Sequence, residues 1–260
     1  MNRTLCFFST VFLGALGGAS ALPAAEPALK PLTVAFSLDN PPYVMEQATK
    51  GVEADLLRAA LPGREMKVLQ LPYNGVQAAI TDGKADVAVS VRQFADEADG
   101  VYFSDIFVYF QNTAATKKSV SGKIESIADL AAFPVFAWED ASRELGPEFE
   151  KQYAPDAPAR ARYREFGNQA DQVRAFWAAP EAVAVIDKNI LKYFSQKQGH
   201  EMDEVVFHDV FPAVTGFRVA FRDPTLRDTF NTGLKRILAS GDYRKIMEKN
   251  GVALPRLPGE

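Results

Sequence analysis

The chain has 260 residues, of which 47% are hydrophobic, and its 33 acidic and 29 basic residues give a formal net charge of −4. This length is enough for one large domain or two small ones. The acidic balance and the lack of a long Lys/Arg run exclude the basic stripe of a nucleic-acid-binding protein, so we expect no nucleic-acid partner.

The first 25 residues have the layout of a secretory signal peptide. Arg3 is the only charge in this segment, an apolar run covers residues 5–16, and small residues at 19–25 offer cleavage sites. The apolar run is shorter than the roughly 20 residues of a membrane span, although a retained N-terminal anchor is the alternative. Cleavage would remove Cys6, the single cysteine, so we expect a disulfide-free mature protein outside the cytoplasm.

Strands and helices alternate over the next part of the sequence. Apolar runs and helical spacing predict strands at 32–37, 66–71 and 85–91, a helix from residue 51 to the break at 62–63, and a helix over 73–81. This βαβ order is typical of an open α/β sheet. Such sheets bind ligands at the carboxyl ends of their strands, and the third strand ends in the polar residues Ser90 and Arg92.

A second unit follows residue 107. An extended run covers 108–117, and a new unit begins at 124–130. The remaining patterns predict strands at 134–138 and 182–187, helices at 165–176 and 190–194, extended segments at 205–210 and 215–221, and closing helices at 225–238 and 242–249. Residues 143–164 are charged and contain proline, which predicts a helix and a surface loop.

Extended segments near residues 112–118 and 211–216 join the two α/β units. Two crossings mean that the second unit is inserted into the first. We therefore assign residues 26–114 and 215–260 to lobe 1 and residues 115–214 to lobe 2. Paired linkers of this kind form the hinge of proteins that close around a ligand.

Six short motifs occur in a fixed order along most of the chain. They are PPY at 41–43, GVEADL at 51–56, a helix ending in GKAD between 73 and 86, FSD at 103–105, IADL at 127–130 and GDYRKI at 241–246. Together they resemble the family 3 periplasmic solute-binding proteins, the amino-acid-binding components of ABC importers. The resemblance implies an α/β type II periplasmic-binding-protein fold, with two α/β lobes joined by two hinge crossings. It also implies a monomer that binds a small-molecule solute and presents it to a membrane ABC permease.

The resemblance further implies a pocket between the lobes for an amino-acid zwitterion. Asp187, at the end of a predicted strand, matches the family's ligand for the α-ammonium group. The alternative is that Asp187 only caps the helix that follows. Tyr43, Tyr73 and Trp138 would form flat walls of the pocket, although core packing is an equal alternative for Trp138.

The carboxylate side of the pocket departs from the family. The position of the family's carboxylate-binding Arg falls on Glu97 or Ala98, depending on the register. Arg92 is our candidate for the anion-binding role, because a guanidinium pairs well with a carboxylate. We expect Ser90 to help it bind an anionic or carbonyl group. A surface position for Arg92 is the alternative.

The loop after Trp138 is also altered. It has the sequence EDAS at 139–142 and is more acidic than in the family. We expect Asp140 and Ser142 to contact the solute. An acidic pair beside Asp187 would favour a cationic or amine solute and disfavour a second carboxylate.

Catalytic and metal-binding patterns are weak. His200 and His208 lie eight residues apart in an acidic segment, and this spacing does not indicate a metal site. We expect no metal, no cofactor and no catalytic residue, and hence a binding protein. Glu97 and Asp105 would matter only in a catalytic descendant of this fold, similar to cyclohexadienyl dehydratases. A third possibility is a periplasmic partner of a dehydrogenase, because such partners resemble binding proteins with degraded pockets.

Overall fold

The computed structural model describes Met1 and residues 30–92, 100–212, 214–254 and 256–259. The predicted signal peptide, apart from Met1, lies outside the described residues, as do Glu97 and Ala98. Where the structure describes the chain, none of its helices is long and apolar enough to cross a membrane.

The strands and helices follow the predicted alternation. The strands are β1 (Leu32–Ser37), β2 (Met66–Leu71), β3 (Val87–Val91), β4 (Tyr102–Phe103), β5 (Val108–Phe110), β6 (Asn112–Lys117), β7 (Val135–Trp138), β8 (Tyr163–Phe166), β9 (Val183–Asp187), β10 (Val205–His208) and β11 (Thr215–Phe221). The helices are α1 (Val52–Ala60), α2 (Tyr73–Thr81), α3 (Ala141–Glu144), α4 (Pro147–Gln152), α5 (Gln169–Ala178), α6 (Lys188–Lys197), α7 (Pro224–Ala239) and α8 (Asp242–Lys249).

These strands form two sheets, one in each lobe. In lobe 1 the strand order is β2-β1-β3-β11-β4, with β5 also paired to β11. In lobe 2 the order is β10-β6-β9-β7-β8. β1 is parallel to β2 and β3, whereas β11 returns antiparallel to β3. β7 is likewise parallel to β8 and β9, and β6 is antiparallel to β9. Each lobe is therefore a mixed α/β sheet with helices packed on it, as the sequence predicts.

The chain crosses between the sheets at two places. β5 pairs with β11 in lobe 1, and β6, which starts at Asn112, already pairs with β9 in lobe 2. The first crossing is therefore at Gln111. The second lies after the end of β10 at His208 and before the start of β11 at Thr215. The prediction of a linker at 112–118 is wrong, because Asn112–Lys117 is a strand of the second sheet and most of its residues are buried.

Two strands were not predicted, the two-residue strand β4 and the longer strand β8. The sequence pattern placed a helix over 165–176, but residues up to Phe166 form β8 beside β7. The helix begins only at Gln169, because the Asn168 side chain accepts hydrogen bonds from the main-chain N–H groups of Ala170 and Asp171. This N-cap fixes the helix start two residues beyond the strand.

Helices α1 and α7 pack very closely in lobe 1. A Cβ atom at Gly233 of α7 would lie 1.9 Å from the main-chain oxygen of Ala60. Only a residue without a side chain allows this approach, because the obstructing atoms belong to the backbone.

We expect Gly233→Ala to destabilise the protein by about 1–3 kcal/mol, as overpacking typically does. The neighbouring Thr232→Ala is the control, because Thr232 is exposed on the same helix and should change the stability by less than about 0.5 kcal/mol. Urea unfolding of both variants measures the effect. Equal stability of the two variants would contradict the close packing of α1 and α7.

Candidate functional site

A cavity of about 100 Å³ lies between the two sheets. Ser37 and Ser90 line it from the carboxyl ends of β1 and β3, and Trp138, Phe166 and Asp187 line it from the carboxyl ends of β7, β8 and β9. Open α/β sheets bind their ligands at this edge. The cavity therefore lies where both lobes present their strand ends to each other.

Polar atoms without a protein partner are concentrated in this cavity. Of the seven buried side-chain atoms that lack such a partner in the described residues, five belong to residues that line it. They are Asn40 Oδ1, Glu53 Oε2, Tyr73 OH, Trp138 Nε1 and Gln169 Oε1. A buried polar group without a hydrogen bond costs about 1–3 kcal/mol, so their convergence indicates a site that a polar ligand completes.

Glu53 brings a carboxylate into the cavity from the first turn of α1. Its side chain is only 1% exposed. Its Oε1 accepts a hydrogen bond of 2.5 Å from Ser90 Oγ, and its Oε2 has no partner in the protein. Burial raises the pKa of Glu53 to about 7, although the hydrogen bond from Ser90 acts in the opposite direction. This carboxyl group therefore keeps its proton to a higher pH than an ordinary glutamate, and a cation bound beside it would favour its ionised form.

The local backbone fixes the position of Glu53. Gly51, just before α1, has a φ of 103°, and a Cβ atom there would lie 2.4 Å from the main-chain oxygen of Tyr43. Glycine thus allows the loop with Tyr43 to lie directly on the start of the helix. Ser90, the partner of Glu53, has a φ of 56°, which is an uncommon conformation for a residue with a side chain. Such strained residues cluster at ligand sites.

Asp187 also lines the cavity, and it is 1% exposed. It caps α6 by accepting hydrogen bonds from the main-chain N–H groups of Asn189 (2.9 Å) and Ile190 (3.1 Å). It accepts two more, from Gln111 N–H at 2.6 Å and from Tyr43 OH at 3.2 Å. Burial raises the pKa of Asp187 to about 6, while these hydrogen bonds act to lower it. Asp187 therefore caps α6, which was the alternative interpretation of the sequence, and it also lines the cavity.

The three predicted aromatic walls have different positions. Tyr73 and Trp138 line the cavity from opposite lobes, and their rings meet edge to face at 5.8 Å. Tyr43 is not among the lining residues. Its ring is fully buried and stacks on Phe110, with the ring centres 4.1 Å apart. Tyr43 is therefore a core residue and not the predicted wall of the pocket.

Arg92 is not among the residues that line the cavity, although its charge acts on the hydroxyl of Tyr73, which does line it. Its guanidinium donates a hydrogen bond to the main-chain oxygen of Glu144 and lies 3.5 Å from the Glu144 carboxylate, and its side chain is 43% exposed. This contact links the end of β3 in lobe 1 to α3 in lobe 2. The structure thus pairs Arg92 with a protein carboxylate rather than placing it in the cavity lining, and it pairs Ser90 with Glu53.

Asp140 and Ser142 also differ from the sequence expectation. Neither residue is part of the cavity lining, although their neighbour Glu139 is. The main-chain N–H groups of Asp140 (3.3 Å) and Ser142 (3.1 Å) and the Ser142 hydroxyl (2.8 Å) all donate to the carboxylate of Glu165. Tyr163 OH adds a fourth hydrogen bond at 2.7 Å. Burial would raise the pKa of Glu165, but these hydrogen bonds outweigh it and the pKa is lowered.

Comparison with known proteins agrees with this architecture. Residues 32–252 match the model of the bacterial extracellular solute-binding proteins, family 3. The chain belongs to this family. The arginine-binding extracellular protein ArtP of Bacillus subtilis (strain 168) is 25% identical in an alignment of 248 residues that covers 92% of this chain and 92% of ArtP.

Two solved structures share the fold of this family member. An ancestral arginine-binding protein bound to arginine superposes with a TM-score of 0.68 at 20% identity, covering 86% of this chain and 99% of that one. AncCDT-1, an ancestral amino-acid-binding protein and a precursor of cyclohexadienyl dehydratase, gives a TM-score of 0.64 at 25% identity over 85% of this chain and 95% of its own.

Sequence reasoning did not single out Glu53 as a residue of this cavity. It appeared only within the motif GVEADL at the start of the predicted helix. A usable signal exists, because Glu53 shares one helical face with Leu56, Leu57 and Ala60, all of which are buried. An acidic residue on an otherwise apolar face is a candidate for a buried, functional carboxylate.

The side chains considered for metal binding or catalysis have partners within the protein. His200 stacks on Trp177 with ring centres 3.8 Å apart, and His208 Nε2 lies 2.9 Å from the hydroxyl of Thr116. Asp105 lies 3.7 Å from Lys235 on the surface. Within the described ranges, no group of three or more His, Cys, Asp or Glu side chains is arranged to hold a metal ion.

We expect the buried Glu53 to make the stability of the ligand-free protein fall as pH rises. Its pKa is about 7 in the folded state against 4.5 ordinarily, so between these values the folded protein holds a proton that the unfolded chain has lost. This contribution is fully present below about pH 4.5 and is lost as pH rises through about 7, by up to about 3 kcal/mol.

Urea unfolding at pH 5 and pH 8 tests this expectation with Glu53→Gln, which should show a smaller fall in stability between the two values. Asp187 acts in the same direction over a lower range and stays in both proteins. The exposed Glu125→Gln is the matched control, and it should keep the wild-type pH dependence. An undiminished fall in Glu53→Gln would contradict a raised pKa at Glu53.

Proposed function

We propose that this family 3 protein is the periplasmic substrate-binding protein of an ABC importer. Its two lobes would close over a small polar solute, an amino acid or an amine, and present it unaltered to a membrane permease. The main support is the convergence of five unpartnered, buried polar atoms on the cavity between the sheets. Buried polar groups are normally hydrogen-bonded, and a polar solute in the cavity would supply the partners that these groups lack.

Contacts between the lobes support a closing motion. The pair Arg92–Glu144 and the ring contact Tyr73–Trp138 both join a residue of lobe 1 to a residue of lobe 2. They lie across the cleft and not within either sheet, which supports a form in which the lobes have closed. We propose that the lobes pivot at Gln111 and between β10 and β11, where the chain passes from one sheet to the other.

The relatives support the solute class. ArtP is named as arginine-binding, and the ancestral protein is bound to arginine. In our proposal Asp187 and Glu53 accept N–H groups of the solute. Tyr73 and Trp138 then provide walls whose OH and N–H groups face the cavity.

A thermal-shift screen tests the binding function. The mature protein, unfolded and refolded to remove bound solute, is tested against amino acids, amines, polyamines and small carboxylates. A ligand at 100 times its Kd adds about 2.7 kcal/mol, which should raise the Tm by roughly 5–10 °C in a protein of this size. No shift across the set would count against the transport proposal.

We expect Asp187→Asn to weaken solute binding by about 2 kcal/mol, or roughly 30-fold, because a charged hydrogen bond is lost. Asparagine is itself a good N-cap, so α6 should stay folded. Isothermal titration measures the affinity, with Asp105→Asn on the surface as the control. Unchanged affinity in Asp187→Asn would remove this residue from the site.

We expect Tyr73→Phe to weaken binding by about 0.5–1.5 kcal/mol with little loss of stability, because its buried OH has no protein partner to lose. Tyr243→Phe is the matched control. Its OH donates to the main-chain oxygen of Phe107 at 2.9 Å, so this variant should lose stability and keep its affinity. If Tyr73→Phe instead lost stability and kept its affinity for the solute, the Tyr73 hydroxyl would have a structural role.

One observation favours a second candidate, a dehydratase-like enzyme. A carboxyl group with a pKa of about 7, as in Glu53, is suited to general acid–base catalysis, and AncCDT-1 is described as a precursor of a dehydratase. Time-resolved product analysis with each solute that binds separates the candidates. Recovery of the intact solute supports transport, whereas a new product that disappears in Glu53→Gln supports the enzyme.

A further inference from the structure

The charges around the cavity have one sign. Four acidic residues line it, namely Asp39, Glu53, Glu139 and Asp187. Among the described lining residues there is no Lys, Arg or His. Residues 93–99, which follow Arg92, contain no Lys or Arg in the sequence. A solute carboxylate would therefore meet acidic side chains and, among the described lining residues, no cationic one, which disfavours its binding.

The groups suited to binding a carboxylate are already engaged with protein acceptors. The Arg92 guanidinium pairs with Glu144. The N–H and hydroxyl donors of Asp140 and Ser142 all point to the Glu165 carboxylate. A solute carboxylate would have to displace one of these internal acceptors to gain the same hydrogen bonds.

The unpartnered atoms of the cavity favour a donor-rich solute. Glu53 is almost completely buried, and its Oε2 has no protein partner. An ionised carboxylate only accepts hydrogen bonds, so this oxygen calls for an N–H or O–H donor. Trp138 Nε1 and Tyr73 OH are the unpartnered donors, and one neutral hydroxyl or carbonyl oxygen would satisfy them.

We propose that the solute is a small organic amine without a carboxylate group, whose N–H groups bind Glu53 and Asp187. This inference rests on the proposed solute-binding function and narrows its solute class. An ammonium group supplies three donors and a positive charge, which complement the buried carboxylates. A hydroxyl or carbonyl elsewhere in the amine would bind Trp138 and Tyr73.

Isothermal titration with matched pairs tests the proposal. Each pair is an amino acid and the amine that lacks only its carboxylate: serine with ethanolamine, ornithine with putrescine, and arginine with agmatine. We expect the amine of at least one pair to bind at least 10-fold more tightly than its amino acid, and no amino acid to bind as well as its amine. An amino acid that binds as tightly as its amine or more tightly would overturn this inference and leave the binding function standing. Binding of neither class would overturn both.

Variants then test the role of Glu53. Glu53→Gln preserves the shape of the side chain and should weaken binding of the amine at least 10-fold. The exposed Glu125→Gln is the matched control and should bind it unchanged. Circular dichroism confirms that both variants are folded. Equal amine affinity in Glu53→Gln and Glu125→Gln would overturn the assignment of Glu53 as the cation-binding group.

Discussion

The carboxylate of Asp187 joins three parts of the molecule. It accepts the N–H group of Gln111, where the chain passes between the sheets, the hydroxyl of Tyr43 in lobe 1, and the first N–H groups of α6 in lobe 2. Because the carboxylate is buried, each of these hydrogen bonds acts in a medium of low dielectric constant. The hinge, the ring of Tyr43 and the start of α6 are thus positioned by one group that also lines the cavity.

Local sequence patterns predicted most of the fold because apolar periodicity reports which residues are buried. The runs that became β1, β2 and β9 and the helix α2 have the predicted bounds within one residue. β8 was missed because two features define it, the Asn168 cap that delays the next helix and the pairing with β7. The pairing is a tertiary contact, which local sequence patterns do not report. The strand β6 was interpreted as a linker for the same reason, since its partners β9 and β10 come about 70 and 90 residues later.

The candidate site was predictable only in part. The positions of Asp187, Tyr73, Ser90 and Trp138 on the cavity follow from strand and helix ends. The partners of Arg92, Asp140 and Ser142 do not, because Glu144 and Glu165 are brought to them by folding and are distant in sequence. Whether a polar side chain faces a solute or a protein carboxylate depends on such long-range contacts. No local pattern of charge encodes them.

The ring contact between Tyr73 and Trp138 has an optical consequence. Both tryptophans lie in lobe 2, but Trp177 is stacked on His200 and its indole N–H donates to Ser195 at 2.9 Å, so it belongs to the rigid packing of that lobe. Trp138 instead meets a ring of the opposite lobe. Opening of the cleft would transfer this indole from an aromatic, apolar contact to water, which shifts the wavelength of its emission. Under the proposed opening, Trp138 is an intrinsic fluorophore at the boundary between the lobes, and Trp177 serves as an internal reference.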